Sequence, residues 1–184
     1  MQEIEFKFQV PVKKRKALQK AFTLLKAEPI HLAAQYFDTA DQTLAKHCIA
    51  IRRRQENDEW KQTFKAVNSA KVLSRLELEF DIAPPETTTL DLDNYKDYSA
   101  IYKKLKRALG LPLPTLELLF ETNIQRLRIL QDVGNSTVEI ALDIGKIFEA
   151  QNNVDIFEIE FELKQGSIED LIAFIQPWVQ KYQL

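Results

Sequence analysis

Segments in which apolar and charged residues alternate recur along the whole 184-residue chain, and this pattern constrains its fold more than any other feature. Successive side chains of a β-strand point to opposite faces, so each segment predicts a strand with one apolar and one charged face. The charged faces carry Arg, Lys, Glu and Asp in place of the Thr, Ser and Gln more usual there. We predict strands at residues 3–8, 49–55, 59–66, 75–82, 124–130, 137–144, 146–150 and 156–163.

Three helices are predicted between and after these strands. The first begins at Pro11, since proline is favoured in the first turn of a helix. The second covers residues 97–109 and ends at Gly110, which favours helix termination. The third begins at Ser167, the first residue of a capping box, and Pro177 should kink or end it.

Many strands with few helices predict an α+β protein built on a sandwich or a barrel. For any single strand, the ordinary interpretation is that its apolar face is buried and its charged face meets solvent. The whole set favours an eight-stranded antiparallel β-barrel with helices packed on its outside and a charged lumen. Such a barrel holds one small ligand, and its inner charges need partners. Basic residues on some strands and carboxylates on others suggest a polyanion together with a divalent cation.

Charge and composition exclude several classes of protein. Lys and Arg number 25 against 27 Asp and Glu, and this balance argues against a dedicated nucleic-acid binder. One cysteine excludes a disulfide framework. The chain has neither a membrane-spanning apolar run nor a leader sequence. We therefore expect a single cytoplasmic domain over residues 1–184 that has no membrane partner, with the basic cluster at residues 13–16 on the solvated face of a helix.

Short motifs, most of them with charged residues two apart, follow one another along the chain. The first is Glu-Ile-Glu-Phe-Lys at residues 3–7. The others are Tyr-Phe-Asp-Thr at 36–39, Ile-Arg-Arg-Arg at 51–54, Thr-Phe-Lys at 63–65, Arg-Leu-Glu at 75–77, the basic strand at 120–128, Val-Glu-Ile-Ala-Leu-Asp-Ile-Gly at 138–145 and Glu-Ile-Glu-Phe-Glu-Leu at 158–163. Together they resemble the CYTH domain family, also called triphosphate tunnel metalloenzymes, over almost the whole chain.

This resemblance implies a fold and a function. The family fold is an eight-stranded antiparallel barrel that forms a tunnel, and its members act on triphosphates with a divalent metal. The motifs are most similar to those of bacterial inorganic triphosphatases, whose domain is often followed by a helical CHAD domain. The implied reaction is hydrolysis of inorganic triphosphate to pyrophosphate and phosphate with Mg²⁺ or Mn²⁺. A thiamine triphosphatase, a class IV adenylyl cyclase and a non-catalytic module that binds polyphosphate or nucleotides remain alternatives.

The resemblance also implies roles for individual residues. Guanidinium and ammonium groups suit phosphates, and carboxylate oxygens suit hard divalent cations. The implied triphosphate contacts are Lys7, Arg52, Arg54, Lys65, Arg75, Arg126 and Arg128. The implied metal ligands are Glu3, Glu5, Asp143, Glu158 and Glu160, with Glu77 and Glu139 in supporting roles. Catalysis is assigned to Glu3, Glu5, Lys65 and Glu160.

Four further features qualify this assignment. Lys61 shares the face of Lys65, but the resemblance does not extend to it. Arg53 points the other way and is interpreted as a surface residue. Phe37 replaces the second tyrosine of the family motif. Many family members continue into another helix that supplies a lysine, so we expect a domain that is shortened after Leu184.

Overall fold

A computed structural model shows an antiparallel sheet with four helices and describes residues 4–67 and 75–184, with only the backbone for Arg75. The strands are β1 (Glu5–Gln9), β2 (Glu28–Asp38), β3 (Ile49–Glu56), β4 (Glu59–Val67), β5 (Arg75–Ile82), β6 (Thr89–Leu90), β7 (Leu116–Val133), β8 (Ser136–Glu149) and β9 (Asn152–Gln165). The helices are α1 (Val12–Leu24), α2 (Thr43–Lys46), α3 (Ser99–Leu109) and α4 (Ile168–Tyr182). No helix in the described ranges is long and apolar enough to cross a membrane.

The strands are hydrogen-bonded in the order β1-β9-β8-β7-β2-β3-β4-β5, and β6 pairs with β7. This confirms the predicted antiparallel α+β fold. The predicted barrel would also pair the two end strands of this order, but among the described residues the order begins at β1 and ends at β5 without such a pairing. Barrel closure therefore stays a prediction. The chain divides into two compact units, formed by Met1–Leu32, Asn123–Ile147 and Asn153–Leu184, and by Ala33–Thr122 and Phe148–Asn152.

The first unit has its own apolar core beneath α1 and α4. Leu18 and Phe22 of α1 are fully buried, as is Leu171 of α4. They pack on the apolar faces of β8 and β9, where alternation places Ile140 and Phe161. Burying each of these side chains contributes about 1.5–3 kcal/mol to stability.

The second unit has a separate core around Tyr95, which is fully buried. Its ring lies edge-on to Phe64 and Phe80, with centroids 5.9 and 5.8 Å away. Burial raises the pKa of Tyr95 to about 12. Leu105 of α3 completes this layer on the apolar face of β4.

A short polar motif holds the corner between β2 and β3. The carboxylate of Asp38, at the end of β2, accepts hydrogen bonds from the backbone N–H groups of Thr39, Leu44 and Ala45 at 2.7, 2.8 and 3.0 Å. Asp38 is 4% exposed, so these donors replace its lost water contacts. The motif fixes the segment that leads into the basic strand β3.

Most predicted elements are present, but their ends and number differ. The strand β2 was not predicted, and neither was the two-residue β6. The strand predicted at 146–150 is the end of β8, and β7 is far longer than the predicted 124–130. The Ser167 cap is present, since its side chain accepts a hydrogen bond from the Asp170 N–H. Helix α4 continues through Pro177, because aromatic contacts of Trp178 and Tyr182 hold its last turn in place.

Replacing Gly166 with alanine should destabilise the fold strongly. Its φ is +109°, and a Cβ would lie 1.9 Å from Ser136 Oγ and 2.6 Å from Ser136 Cα. Gly134 provides a control, because its φ is +61° and a Cβ there would approach only the Asp170 side chain, at 3.5 Å. We expect Gly134→Ala to cost about 1 kcal/mol and Gly166→Ala several times more in urea unfolding. Equal costs would contradict the described packing.

Candidate functional site

A partly buried guanidinium on β7, held by two buried carboxylates, organises the charged residues of the first unit. Arg126 Nε and Nη2 donate to the two carboxylate oxygens of Asp143 on β8, each at 2.7 Å. The same Nη2 donates to Glu160 Oε2 on β9 at 2.6 Å. Asp143 and Glu160 are 3% and 8% exposed. Because water is largely excluded, removing either partner would leave a buried charge uncompensated.

Lys7 extends this network to β1. Its Nζ lies 2.5 Å from Glu160 Oε1 and 3.4 Å from Glu158 Oε2. The strand register causes this contact, since Lys7 is directly opposite Glu160 in the β1–β9 pair. We call Lys7, Arg126, Asp143, Glu158 and Glu160 the carboxylate cluster.

The opposite charges of the cluster control its titration. Burial alone would raise the pKa of Glu160, but Arg126 and Lys7 outweigh burial and hold this pKa below its ordinary 4.5. Burial would lower the pKa of Lys7, but Glu160 and then Glu158 raise it above its ordinary 10.5. Burial would also lower the pKa of Arg126, but its hydrogen bond to Asp143 and the negative charge of Glu160 raise this pKa above its ordinary value. Glu160, Lys7 and Arg126 are therefore charged at neutral pH.

Gly145 allows β8 to approach β7 closely beside the cluster. A Cβ at this position would lie 2.1 Å from the Asn123 carbonyl oxygen and 2.8 Å from Ile124 Cα. Both atoms belong to the β7 backbone, so any other residue would push the strands apart. Arg126 and Asp143 lie two residues away on the two strands, and their short ion pair depends on that spacing.

More carboxylates lie along the same face of β1, β8 and β9. Glu5 is directly opposite Glu162, and Lys164 Nζ lies 3.0 Å from Glu162 and 3.9 Å from Glu139. Like charges directly opposite each other destabilise a strand pair. The Lys164 ammonium offsets part of this repulsion at Glu162.

The described side chains include no group of three or more His, Cys, Asp or Glu residues arranged to hold a metal ion. The donor chemistry nevertheless fits the predicted Mg²⁺ or Mn²⁺, which favour carboxylate oxygens. Glu158 and Glu160 already converge on one cation, the Lys7 ammonium. Glu5, Glu158 and Glu160 therefore have suitable donor oxygens, but Lys7 and Arg126 hold both oxygens of Glu160, just as Arg126 holds both oxygens of Asp143.

Basic side chains of β3 and β4 lie beside acidic side chains of β5 on one face of the sheet in the second unit. Strand register arranges this face in three rows across β3, β4 and β5, which are Ala50–Lys65–Glu77, Arg52–Thr63–Glu79 and Arg54–Lys61–Asp81. Successive rows are about 6.7 Å apart, since each advances two residues along a strand. We call these nine residues the basic face. Its cations are spread along a line in the manner that a chain of phosphoryl groups requires.

Most ion pairs on the basic face are long. Glu79 Oε2 accepts from Thr63 Oγ1 at 3.0 Å and lies 3.5 Å from Arg54 Nη2, while Oε1 lies 3.7 Å from Lys61 Nζ. Lys65 Nζ lies 3.2 Å from Glu77, and Arg54 also lies 3.4 Å from Glu56. Charge-assisted hydrogen bonds are usually about 2.7–2.9 Å long. These contacts are longer than the 2.6–2.7 Å contacts of Arg126.

Two aromatic residues lie beside the basic face, and sequence reasoning missed their role. The Tyr36 hydroxyl accepts a hydrogen bond from Arg52 Nη1 at 3.4 Å. Its ring stacks on Phe120 with centroids 4.4 Å apart and planes at 15°. The signal available was the position of Tyr36 in the Tyr-Phe-Asp-Thr motif, which indicated a family resemblance but no orientation.

The structure brings together most of the predicted site residues, in two groups. Lys7, Asp143, Glu158, Glu160 and Arg126 form the carboxylate cluster, and Arg52, Arg54, Lys65 and Glu77 belong to the basic face. Arg128 and Glu139 stand apart from both, because Arg128 pairs with Glu28 at 2.8 Å and Glu139 lies nearest Lys164. Glu3 and the side chain of Arg75 lie outside the described residues.

Arg53 is partly exposed and points away from the basic face, and its guanidinium makes specific contacts there. Its guanidinium lies 5.1 Å from the centre of the Phe37 ring, and its Nη1 donates to the Thr87 carbonyl at 3.1 Å. Burial lowers its pKa. The alternation correctly predicts that Arg53 faces away from Arg52 and Arg54, but on that face it is covered by the segment after β5.

Comparison with known proteins identifies the family. The CYTH domain model matches residues 1–183 of the chain. The chain belongs to the CYTH domain family. A curated relative, an inorganic triphosphatase from Haemophilus influenzae, is 33% identical over 180 residues. The match covers 96% of this CYTH chain but 49% of the relative, so the chain spans about half the length of that protein.

Solved structures support the CYTH fold. A candidate adenylate cyclase from Bacillus halodurans superposes with a TM-score of 0.68 at 22% identity, covering 98% of this chain and 89% of that one. A candidate adenylyl cyclase from Hippeastrum, described as having a dominant triphosphatase activity, gives a TM-score of 0.61 at 19% identity, covering 98% and 88%. At these identities the likeness shows the fold alone.

Removing the charge of Asp143 should destabilise this CYTH domain far more than removing that of an exposed partner. Asp143→Asn leaves a buried guanidinium short of one carboxylate, and we expect a loss of about 3 kcal/mol. The control is Glu28→Gln, because the Arg128–Glu28 pair is exposed (34% and 64%) and its loss should cost at most about 1 kcal/mol. Denaturant unfolding measures both. Similar losses of stability in the two variants would contradict our explanation that burial makes the Asp143–Arg126 ion pair important for stability.

The stability supplied by Glu160 should disappear on acidification. Its pKa is lower in the folded than in the unfolded state, so its contribution is complete above the unfolded value and lost as pH falls through the folded one. Carboxyl ¹³C NMR should place its midpoint below 4.5. Arg126→Gln should move that midpoint upward, whereas Arg128→Gln should leave it in place. An unmoved midpoint in Arg126→Gln would refute the assigned cause.

Proposed function

We propose that this chain hydrolyses inorganic triphosphate to pyrophosphate and phosphate with the aid of Mg²⁺ or Mn²⁺. The observation that carries the proposal is the basic face, whose cations are spread over three rows of β3 and β4 and suit a linear polyanion. The inorganic triphosphatase from Haemophilus influenzae supports the same choice, at 33% identity.

The basic face would bind the phosphates and stabilise the charge that develops during reaction. Hydrolysis joins a water oxygen to the terminal phosphorus and breaks its bond to the bridging oxygen, so negative charge accumulates on the departing pyrophosphate. Arg52 offers a planar fork to phosphate oxygens, and Lys65 offers a compact charge. Arg52 Nε donates to Thr63 Oγ1 at 3.5 Å and Lys65 Nζ lies 3.2 Å from Glu77, and phosphate oxygens would replace these contacts when substrate binds.

Carboxylates in the first unit would hold the metal. Glu5, Glu158 and Glu160 are the proposed ligands, together with Glu3 from the family motif, because carboxylate oxygens suit Mg²⁺ or Mn²⁺. Arg126 and Asp143 orient Glu160 and keep it ionised at neutral pH. This assigns Arg126 and Asp143 a positioning role.

A second candidate function follows from the aromatic stack. Tyr36 and Phe120 form a stacked pair of rings, and the Tyr36 hydroxyl contacts Arg52. An organic triphosphate, such as thiamine triphosphate or a nucleotide, would extend this stack with its own ring system. Inorganic triphosphate has no ring system that could stack there. The relative rates of hydrolysis of inorganic and organic triphosphates therefore decide between these functions.

The finer expectations about the protein remain predictions. They are closure of the sheet into a tunnel, a cytoplasmic location and a CHAD domain in the full-length protein.

Phosphate release from inorganic triphosphate, ATP and thiamine triphosphate tests this function, each with Mg²⁺, Mn²⁺ or EDTA. We expect fast release from inorganic triphosphate that depends on metal. Glu5→Gln should lower turnover about a hundredfold or more because it removes a metal ligand. Glu28→Gln, an exposed charge change on β2, is the matched control and should retain activity. Tight triphosphate binding without release would indicate a binding module, and faster release from the organic substrates would favour the aromatic stack.

A further inference from the structure

Arg52 differs from the other described cations of the basic face because its contacts are to neutral groups. Its Nε donates to Thr63 Oγ1 at 3.5 Å, and its Nη1 donates to the Tyr36 hydroxyl at 3.4 Å. Within the described part of the chain, neither an ion pair nor any further contact of Arg52 is present. A hydroxyl can accept a hydrogen bond from a guanidinium without cancelling its charge. The positive charge of Arg52 is therefore available to an anion.

Three carboxylates of β5 belong to the basic face, and none of them contacts Arg52. Glu79 lies in the same row, but Thr63 lies between the two and donates its hydroxyl to Glu79 Oε2 at 3.0 Å. The other two are directly opposite lysines of β4, with Glu77 opposite Lys65 and Asp81 opposite Lys61. Strand β4 thus lies between Arg52 and these carboxylates, and an anion on the β2 side of Arg52 is kept away from them.

Tyr36 brings a hydrogen-bond donor to this β2 side. Gln35 and Phe37, its neighbours in sequence, point to the opposite face of the strand. Glu121, which accepts from Gln35 Nε2 at 3.0 Å, therefore lies on that opposite face too. A phenol has one O–H donor and can also accept. Tyr36 accepts from Arg52, and its own O–H donates to no acceptor among the described residues.

The ring of Phe120 holds the Tyr36 hydroxyl in place. The two rings stack with centroids 4.4 Å apart and planes at 15°. Stacking restricts rotation of the Tyr36 ring, so its hydroxyl stays beside the guanidinium and little freedom is lost when it binds a ligand. A fixed neutral donor next to a cation suits a phosphoryl group, whose several oxygens each accept hydrogen bonds.

We propose that the Tyr36 hydroxyl donates a hydrogen bond to the phosphoryl group that Arg52 binds. Arg52 supplies the charge, and Tyr36 supplies a second donor to another oxygen of the same group. The inference deepens the proposed function and rests on it for the identity of the anion as a triphosphate. It assigns a role to the hydroxyl of Tyr36, whereas the second candidate function uses only the stacked rings.

Triphosphate binding without metal tests this contact directly. Tyr36→Phe keeps the ring and removes only the hydroxyl, and Tyr102→Phe is the matched control, since Tyr102 is a partly exposed tyrosine of α3. Calorimetry in EDTA would measure the affinity of both variants and of the wild type. Loss of a hydrogen bond to a charged acceptor should weaken binding about fivefold to tenfold in Tyr36→Phe. Tyr102→Phe should leave the affinity unchanged.

A second background separates contact with the phosphate from positioning of the guanidinium. Arg52→Lys keeps the positive charge but removes the planar fork that Tyr36 contacts. A hydroxyl that donates to the phosphate itself should still matter there, so adding Tyr36→Phe to Arg52→Lys should again weaken binding several-fold. An effect of Tyr36→Phe that disappears in this background would show that the hydroxyl only orients Arg52, and the proposed contact would be wrong.

The outcomes also separate this inference from the proposed function. Equal affinity of the wild type and Tyr36→Phe, or no triphosphate binding by the wild type in EDTA, would overturn the contact. Absence of metal-dependent phosphate release by the wild type would overturn the hydrolase, while weaker binding by Tyr36→Phe in both backgrounds would still support the contact. Phosphate release by the wild type together with unchanged affinity of Tyr36→Phe would leave the hydrolase in place and remove the contact alone.

Discussion

The structure of the first unit depends on one guanidinium that lies between two buried carboxylates. Arg126 lies between Asp143 and Glu160, and Glu160 in turn contacts Lys7, so a single ionic network links β7, β8, β9 and β1. Each strand contributes one charge from the face opposite its apolar side chains. A charge with so little access to water is stable only while its partner is present. The apolar core beneath α1 and α4 and the ionic network above it therefore specify the same strand register.

Backbone constraints make that network geometrically feasible. Gly145 lets β8 approach the β7 backbone, and Gly166 lets the chain pass Ser136 at the end of β9. In the second unit, Asp38 secures the corner before β3 by accepting backbone N–H groups. The charged side chains are thus positioned by the regular pleat and by a few sites at which the backbone must turn or approach closely.

The alternating segments predicted seven of the strands, because a period of two survives in β1, β3, β4, β5, β8, β9 and the second half of β7. Strand β2 was missed because its alternation breaks at Ala33–Ala34 and again at Tyr36–Phe37, where adjacent residues are both apolar. The first half of β7 was missed because its alternation of apolar and charged residues breaks in the same way. Motif resemblance supplied the site residues, but it could not show that Arg128 pairs with Glu28 or that Arg53 is covered. These two contacts depend on which distant segments of the chain pack nearby. The alternation of residues along one sequence contains no information about that packing.

The difference between tight and loose ion pairs has a consequence for the response to ionic strength. The Arg126 contacts are short and their carboxylates are buried, so dissolved ions screen them little. The contacts of Arg54 and Lys61 with Glu79 are longer, and the spacing of their rows is comparable to the Debye length of about 8 Å at physiological salt. Added salt therefore weakens the long ion pairs of the basic face before it weakens the ionic network around Arg126.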